Sequence, residues 1–158
     1  LAYETGRLSS REFYEAFCSR TGARPDYAAL FRAFREIFSV KVSMLPVIGQ
    51  LARLGCRMGI LSNTCQEHWD YCRGQFAFLR ESFCVYALSF EIGACKPDPA
   101  IFAKAAELAG CRGDEIFYTD DMPGHVAGGR AAGFDAVVFT SAAELAAELR
   151  RRGVPLDG

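Results

Sequence analysis

Arg57-Met58-Gly59-Ile60-Leu61 is a short, mostly apolar run, and Ser62-Asn63-Thr64 follows it directly. The run is too short for a helix and ends in small polar residues that favour turns. It reads as a buried strand over 57–61 leading into a loop. Helical patterns flank it: Met44 to Leu54, stopped by Gly55, and a segment through Trp69 and Tyr71. Outward from there the alternation continues. Phe83 to Leu88, Glu115 to Thr119 and Asp135 to Phe139 read as further strands. Pro99 to Leu108, Pro123 to Ala132 and a last segment to Arg151 read as helices, with Asp98 and Ser141 as N-caps and Pro99 at a first helical position. Short apolar strands alternating with helices indicate βαβ units. The expected class is α/β, a Rossmann-like parallel sheet with helices on both faces.

The first 42 residues have another character. Ser9 and Glu12 have the spacing of a capping box, Phe13 and Phe17 repeat one turn apart, and Gly22 ends the run. Pro25-Asp26 opens a second helix with Leu30, Phe31, Phe34, Ile37 and Phe38 as its apolar face. The chain is therefore expected to divide into a small, partial helical cap over 1–42 and a Rossmann-like core over 43–158.

Composition excludes several classes. The 158 residues are 51% hydrophobic, and 18 Lys+Arg stand against 19 Asp+Glu, for a net charge of −1. A nucleic-acid binder usually carries a clear basic excess, so none is expected as a partner. High apolar content with little net charge argues against disorder. No apolar run reaches the length of a membrane span. Seven cysteines occur with no Cys-x-x-Cys pair. They read as small buried thiols in a reducing cytoplasm, in line with the lack of a secretory signal.

Ligands of open parallel sheets bind beyond the carboxyl ends of the strands. The residues placed there are Ser62, Asn63 and Thr64 after the first strand and Lys96 past the second. Asp120 and Asp121 follow the third, and Thr140 the fourth. A hydroxyl, an ammonium and two carboxylates on one rim suit a phosphoryl group and a hard cation such as Mg²⁺. Taken singly, each has a plainer reading: Ser62 and the Asp pair as helix caps, Lys96 as a solvated loop residue.

Together these residues carry a resemblance. Ile60-Leu61-Ser62-Asn63-Thr64, Lys96-Pro97 and Tyr118-Thr119-Asp120-Asp121 resemble motifs two, three and four of the haloacid dehalogenase superfamily. Pro123-Gly124-His125-Val126 through Gly133-Phe134 is similar to the segment after motif four, and Tyr3 to Ser9, ahead of Phe13, to a helical cap. The resemblance implies a Mg²⁺-dependent phosphatase acting on a small phosphorylated metabolite. Ser62 would bond the phosphoryl group, with Asn63 lining the site, and Lys96 would pair with the phosphate and the nucleophile. Asp121 would be the direct Mg²⁺ ligand and Asp120 would stand behind it. The family's nucleophile is the first Asp of an Asp-x-Asp motif on a central strand, and no such motif occurs here. The expectation is that this strand and its carboxylate lie ahead of Leu1, and that residues 1–158 by themselves are inactive. A non-catalytic phosphate- and metal-binding module and a 2-haloacid dehalogenase are the alternatives.

The remaining polar residues have plain readings. His125 reads as a capping or surface histidine rather than a site contact, and His68, beside Trp69, as a packing residue. Arg20, Arg24 and Arg35 read as solvated, and Arg150-Arg151-Arg152 as cations suited to a helix C-terminus.

Overall fold

The structure, a computed structural model, describes residues 1–157. Two helices come first: α1 (Ser10–Thr21) and α2 (Tyr27–Arg35). A single 3₁₀ turn at Val42–Met44 leads into α3 (Leu45–Arg53). Then follow β1 (Gly59–Ser62), α4 (Gln66–Gln75), α5 (Phe78–Glu81), β2 (Val85–Leu88), α6 (Ser89–Ile92) and α7 (Pro99–Ala109). A 3₁₀ turn at Gly113–Glu115 precedes β3 (Phe117–Asp120), α8 (Pro123–Ala131), β4 (Asp135–Val138) and α9 (Ala142–Arg151). The α/β order expected from the sequence is present. No helix among the described residues is long and apolar enough to cross a membrane.

Local chemistry sets most boundaries. Ser9 and Glu12 close a full capping box on α1. Asp26, Asp98 and Ser141 cap α2, α7 and α9 through their side chains. α2 ends at Arg35, so Ile37 and Phe38 do not extend its apolar face; they lie in the connection to α3, 66% and 39% exposed. The strands are shorter than the apolar runs that announced them. Cys56 and Cys84, expected like the other cysteines to be buried thiols, fall outside β1 and β2 and are exposed, while Cys18, Cys65 and Cys95 are buried. An apolar run locates a strand but not its ends, because pairing partners decide where the ladder stops.

Both strand pairs are parallel: Gly59–Ser62 runs in register with Val85–Leu88, and Phe117–Asp120 with Asp135–Val138. The parallel strands thus form two separate pairs. Among the described residues β1 and β3 share no ladder. Between them runs an apolar slot of about 610 Å³, lined by Ile60 and Leu61 on one side, Phe117 and Thr119 on the other, and Val47 and Leu149 from α3 and α9.

Three apolar clusters hold the molecule. Phe102 and Ile101 of α7 pack with Tyr118, Val126 and Phe134 on one side of the strands. Val47, Leu145 and Leu149 pack with Phe117 on the other. Strand alternation explains the split: Tyr118 and Asp120 share one face of β3, Phe117 and Thr119 the opposite one. α8 approaches closely because Gly129 lacks a side chain; a Cβ there would lie 2.8 Å from the Tyr118 ring. The third cluster joins α1 and α2 to the rest through Tyr3, Tyr14, Phe31 and Cys65. His68 stacks on Phe34 with ring centroids 4.1 Å apart, the packing role expected of it.

Candidate active site at the carboxyl ends of β1 and β3

Lys96 sits in the turn after α6, where the Asp98 N–H donates to the Cys95 carbonyl before α7 begins. Its side chain runs back toward the strands. Nζ donates to the Leu61 carbonyl at 2.9 Å and to Asp120 Oδ2 at 2.5 Å. The ammonium therefore bridges the rim of the slot, from the penultimate residue of β1 to the last residue of β3. The Lys96 and Asp120 side chains are 7% and 8% exposed.

Asp120 is bonded on every side. Oδ2 also accepts from the Tyr118 hydroxyl at 2.6 Å, and Oδ1 accepts from the Met122 N–H at 2.9 Å. His125 Nδ1 lies 3.0 Å from Oδ1, a bond in which Nδ1 carries the proton and donates. Burial works against the charged carboxylate. It is outweighed by the bonds from Lys96, Tyr118 and Met122 and by the Lys96 charge, which hold the Asp120 carboxyl down at about 2. Burial and the neighbouring carboxylates push the Tyr118 phenol up, so it stays a donor.

Asn63 turns its carboxamide toward Lys96 as well. Oδ1 accepts the Lys96 N–H at 2.7 Å and Nδ2 donates to the Lys96 carbonyl at 3.0 Å. Ser62 closes β1 and is half-buried. Thr64 is buried behind it, its N–H donating to Ser89 Oγ at 2.9 Å. Ser89 in turn donates to the Glu4 carbonyl at 2.6 Å, tying the N-terminal turn to the end of β2. Asp121, directly after β3, is exposed.

Ser62, Asn63, Lys96 and Asp120 are thus brought to one end of the strands, with Asp121 adjoining. Thr140 enters none of these contacts and precedes α9. Two residues were missed. His125, read as a cap or surface group, meets Asp120; it lies in the first turn of α8, one helical turn past the acidic pair, and that spacing was the available signal. Tyr118 stands in the strand and in the motif-four run with no role of its own, yet strand alternation puts it on the same face as Asp120. Chemically, the rim offers a hydroxyl, an ammonium with an uncommitted N–H and an exposed carboxylate, a set suited to an oxyanion and a hard cation.

Known proteins resemble this chain in sequence and in fold. Over 117 residues the chain is 29% identical to "Phosphatase MT3486" of Mycobacterium tuberculosis (strain CDC 1551 / Oshkosh), an overlap of 72% of this chain and 54% of that protein. The chain thus spans about half the length of this curated relative. Its fold matches the crystal structure of the HAD family enzyme bt-2542 from Bacteroides thetaiotaomicron, wild-type protein in complex with magnesium and inorganic phosphate. The TM-score is 0.80 at 24% identity, over 89% of this chain and 74% of that one. A predicted HAD-like family hydrolase from Porphyromonas gingivalis matches with a TM-score of 0.78 at 24% identity, over 96% and 76% of the two chains. The family model for haloacid dehalogenase-like hydrolases matches residues 7–133, and the chain belongs to that family.

Proposed function

We propose that the intact protein is a Mg²⁺-dependent phosphatase of a small phosphate ester, with its attacking carboxylate supplied from outside residues 1–158. The observation that carries this reading is the Lys96 ammonium. It is held between Leu61 and Asp120 on the rim where Ser62 and Asp121 also stand. Two of its three N–H groups are committed, and the third is left for an anion. Ser62 would donate to the same anion. Residues 1–42 act as the cap portion and 43–158 as the core, in a cytoplasmic enzyme.

The slot between β1 and β3 supports the second half of the proposal. An extended apolar segment placed there would pair with both inner strand edges and end at the rim beside Lys96. Thr119 Oγ1, which lines the slot, is buried without a hydrogen-bond partner among the described residues. The segment's carboxylate would attack phosphorus as the ester oxygen leaves, giving an aspartyl-phosphate that water hydrolyses to inorganic phosphate.

The donor set fits magnesium in part. Asp120 already accepts from four donors and is closed to a cation, so Asp121 is the carboxylate this chain contributes. No group of three or more His, Cys, Asp or Glu side chains that could hold a metal occurs among the described residues. Mg²⁺ is commonly held by one or two carboxylates with waters and phosphate oxygens, so Asp121 together with the incoming carboxylate would suffice. When bound, the ion would offset negative charge on the phosphoryl group. The matched phosphatase of M. tuberculosis and the magnesium and phosphate bound to the B. thetaiotaomicron enzyme favour the same assignment.

The test is an assay of the full-length protein on p-nitrophenyl phosphate and on 2-chloropropionate, with Mg²⁺ and with EDTA. Phosphate release that needs Mg²⁺ and falls at least ~100-fold in Lys96→Ala and in Asp121→Ala is expected. Chloride release without phosphate hydrolysis would make the protein a dehalogenase. Full activity in Asp121→Ala would remove the metal assignment.

A further inference from the structure

We infer that Asn63 serves the reaction through Lys96 rather than through the substrate, as a positioning residue that clamps the Lys96 main chain to the end of β1. The inference rests on the phosphatase reading and refines the role of one residue in it.

The geometry is a two-point clamp. Asn63 Oδ1 accepts the Lys96 N–H at 2.7 Å while Nδ2 donates to the Lys96 carbonyl at 3.0 Å. A carboxamide has the donor–acceptor layout of a peptide group, so Asn63 offers Lys96 the pairing that a neighbouring strand would offer. The clamp reaches across 33 residues of sequence. It acts where no ladder exists, since Lys96 lies in a turn between α6 and α7.

The other end of the same residue is fixed independently. Nζ is held by the Leu61 carbonyl at 2.9 Å and by Asp120 at 2.5 Å. A lysine stem has four rotatable carbons, and tethering the ammonium alone leaves the stem free to tilt. Fixing main chain and ammonium together leaves the third N–H one direction. Misplacing a reacting or charge-stabilising group by about 1 Å can cost on the order of 100-fold in rate, so a clamp remote from the anion still governs turnover. Asn63 and Leu61 are both at the end of β1, so the strand sets both anchor points for one lysine.

The test uses the full-length protein with Asn63→Ala and Asn63→Asp, assayed on p-nitrophenyl phosphate and on a series of alkyl and sugar phosphates. Asn63→Asp keeps the shape and the Oδ1 acceptor, exchanges the donor for a carboxylate oxygen and adds a negative charge; it breaks the bond to the Lys96 carbonyl and remains informative if Asn63→Ala fails to fold. A positioning role predicts that kcat falls roughly 10- to 100-fold by the same factor for every ester, with KM within about 3-fold of wild type. It also predicts that amide hydrogen exchange at Lys96 loses its protection in Asn63→Ala. KM changes that differ from ester to ester would make Asn63 a substrate contact and overturn the inference, as would unchanged exchange at Lys96. Absence of phosphatase activity in the wild type would instead sink the phosphatase reading. Exchange at Lys96 would still decide whether Asn63 holds it.

Discussion

Lys96 and Asp120 form an ion pair at 2.5 Å in which both side chains are less than a tenth exposed. Removing one partner of such a pair leaves the other charged and buried. Lys96→Met is therefore expected to destabilise the protein by about 3 kcal/mol. The double variant Lys96→Met/Asp120→Leu should lose less than the sum of the two single changes, because it strands no charge. Urea denaturation of the four proteins in the cycle measures this directly; strict additivity would show that the pair is not coupled.

The Tyr118 hydroxyl shares Asp120 Oδ2 with Lys96, and its ring packs edge-on against Phe102 and Phe134. Tyr118→Phe keeps the ring and deletes one charge-assisted bond, for a loss of about 2 kcal/mol and a Tm drop of roughly 5 °C. The pH dependence has a definite sign. The Asp120 carboxyl is held down at about 2 in the folded protein, against 3.8 ordinarily. Its stabilisation is complete above 3.8 and is lost as pH falls through 2. With one donor gone that advantage shrinks, so acid unfolding of Tyr118→Phe should begin at higher pH. Circular dichroism during acid titration would show it, and coincident curves would contradict it.

Burial lowers the pKa of His68 below its ordinary 6.5, with the bond to the Phe34 carbonyl acting the other way. The folded protein then keeps the imidazole neutral where the unfolded chain binds a proton. Stability from this source is present above 6.5 and drains away as pH falls through the folded value. His68→Phe can keep the stack on Phe34 and removes the titration. Between pH 7.5 and pH 5.5 (about one unit either side of the ordinary value), Tm should fall less in the variant than in wild type.

Gly6 has φ +67°, and a Cβ there would stand 2.3 Å from the Phe90 carbonyl oxygen. Gly6→Ala meets both a disfavoured backbone conformation and a clash with main chain that cannot rotate away. A cost of about 2 kcal/mol is expected, read as a lowered urea midpoint. Limited proteolysis should then cut first in the N-terminal turn that Ser89 ties to the end of β2.

Much of this arrangement was legible in the residues. Capping chemistry at Ser9, Asp98 and Ser141 is local, and a local signal survives folding unchanged. The placement of Ser62, Lys96 and the acidic pair followed from the rule that parallel strands present their carboxyl ends together. Ile37 and Phe38 misled because helical periodicity records which residues could share a face, not whether anything is there to cover them. Cys56 and Cys84 misled because strand ends depend on a partner's register. His125 and Tyr118 were overlooked for one reason. Each matters only through Asp120, and a hydrogen bond between side chains is a fact of three dimensions that no single residue announces.

The gap between the two strand pairs has a practical corollary for anyone who expresses residues 1–158 alone. β1 and β3 would each offer a row of amide and carbonyl groups with no ladder partner among the described residues, bordered by greasy side chains. Such rims recruit strands from other molecules. A recombinant product of this length should self-associate on concentration, and a synthetic strand able to plug the gap should keep it dispersed.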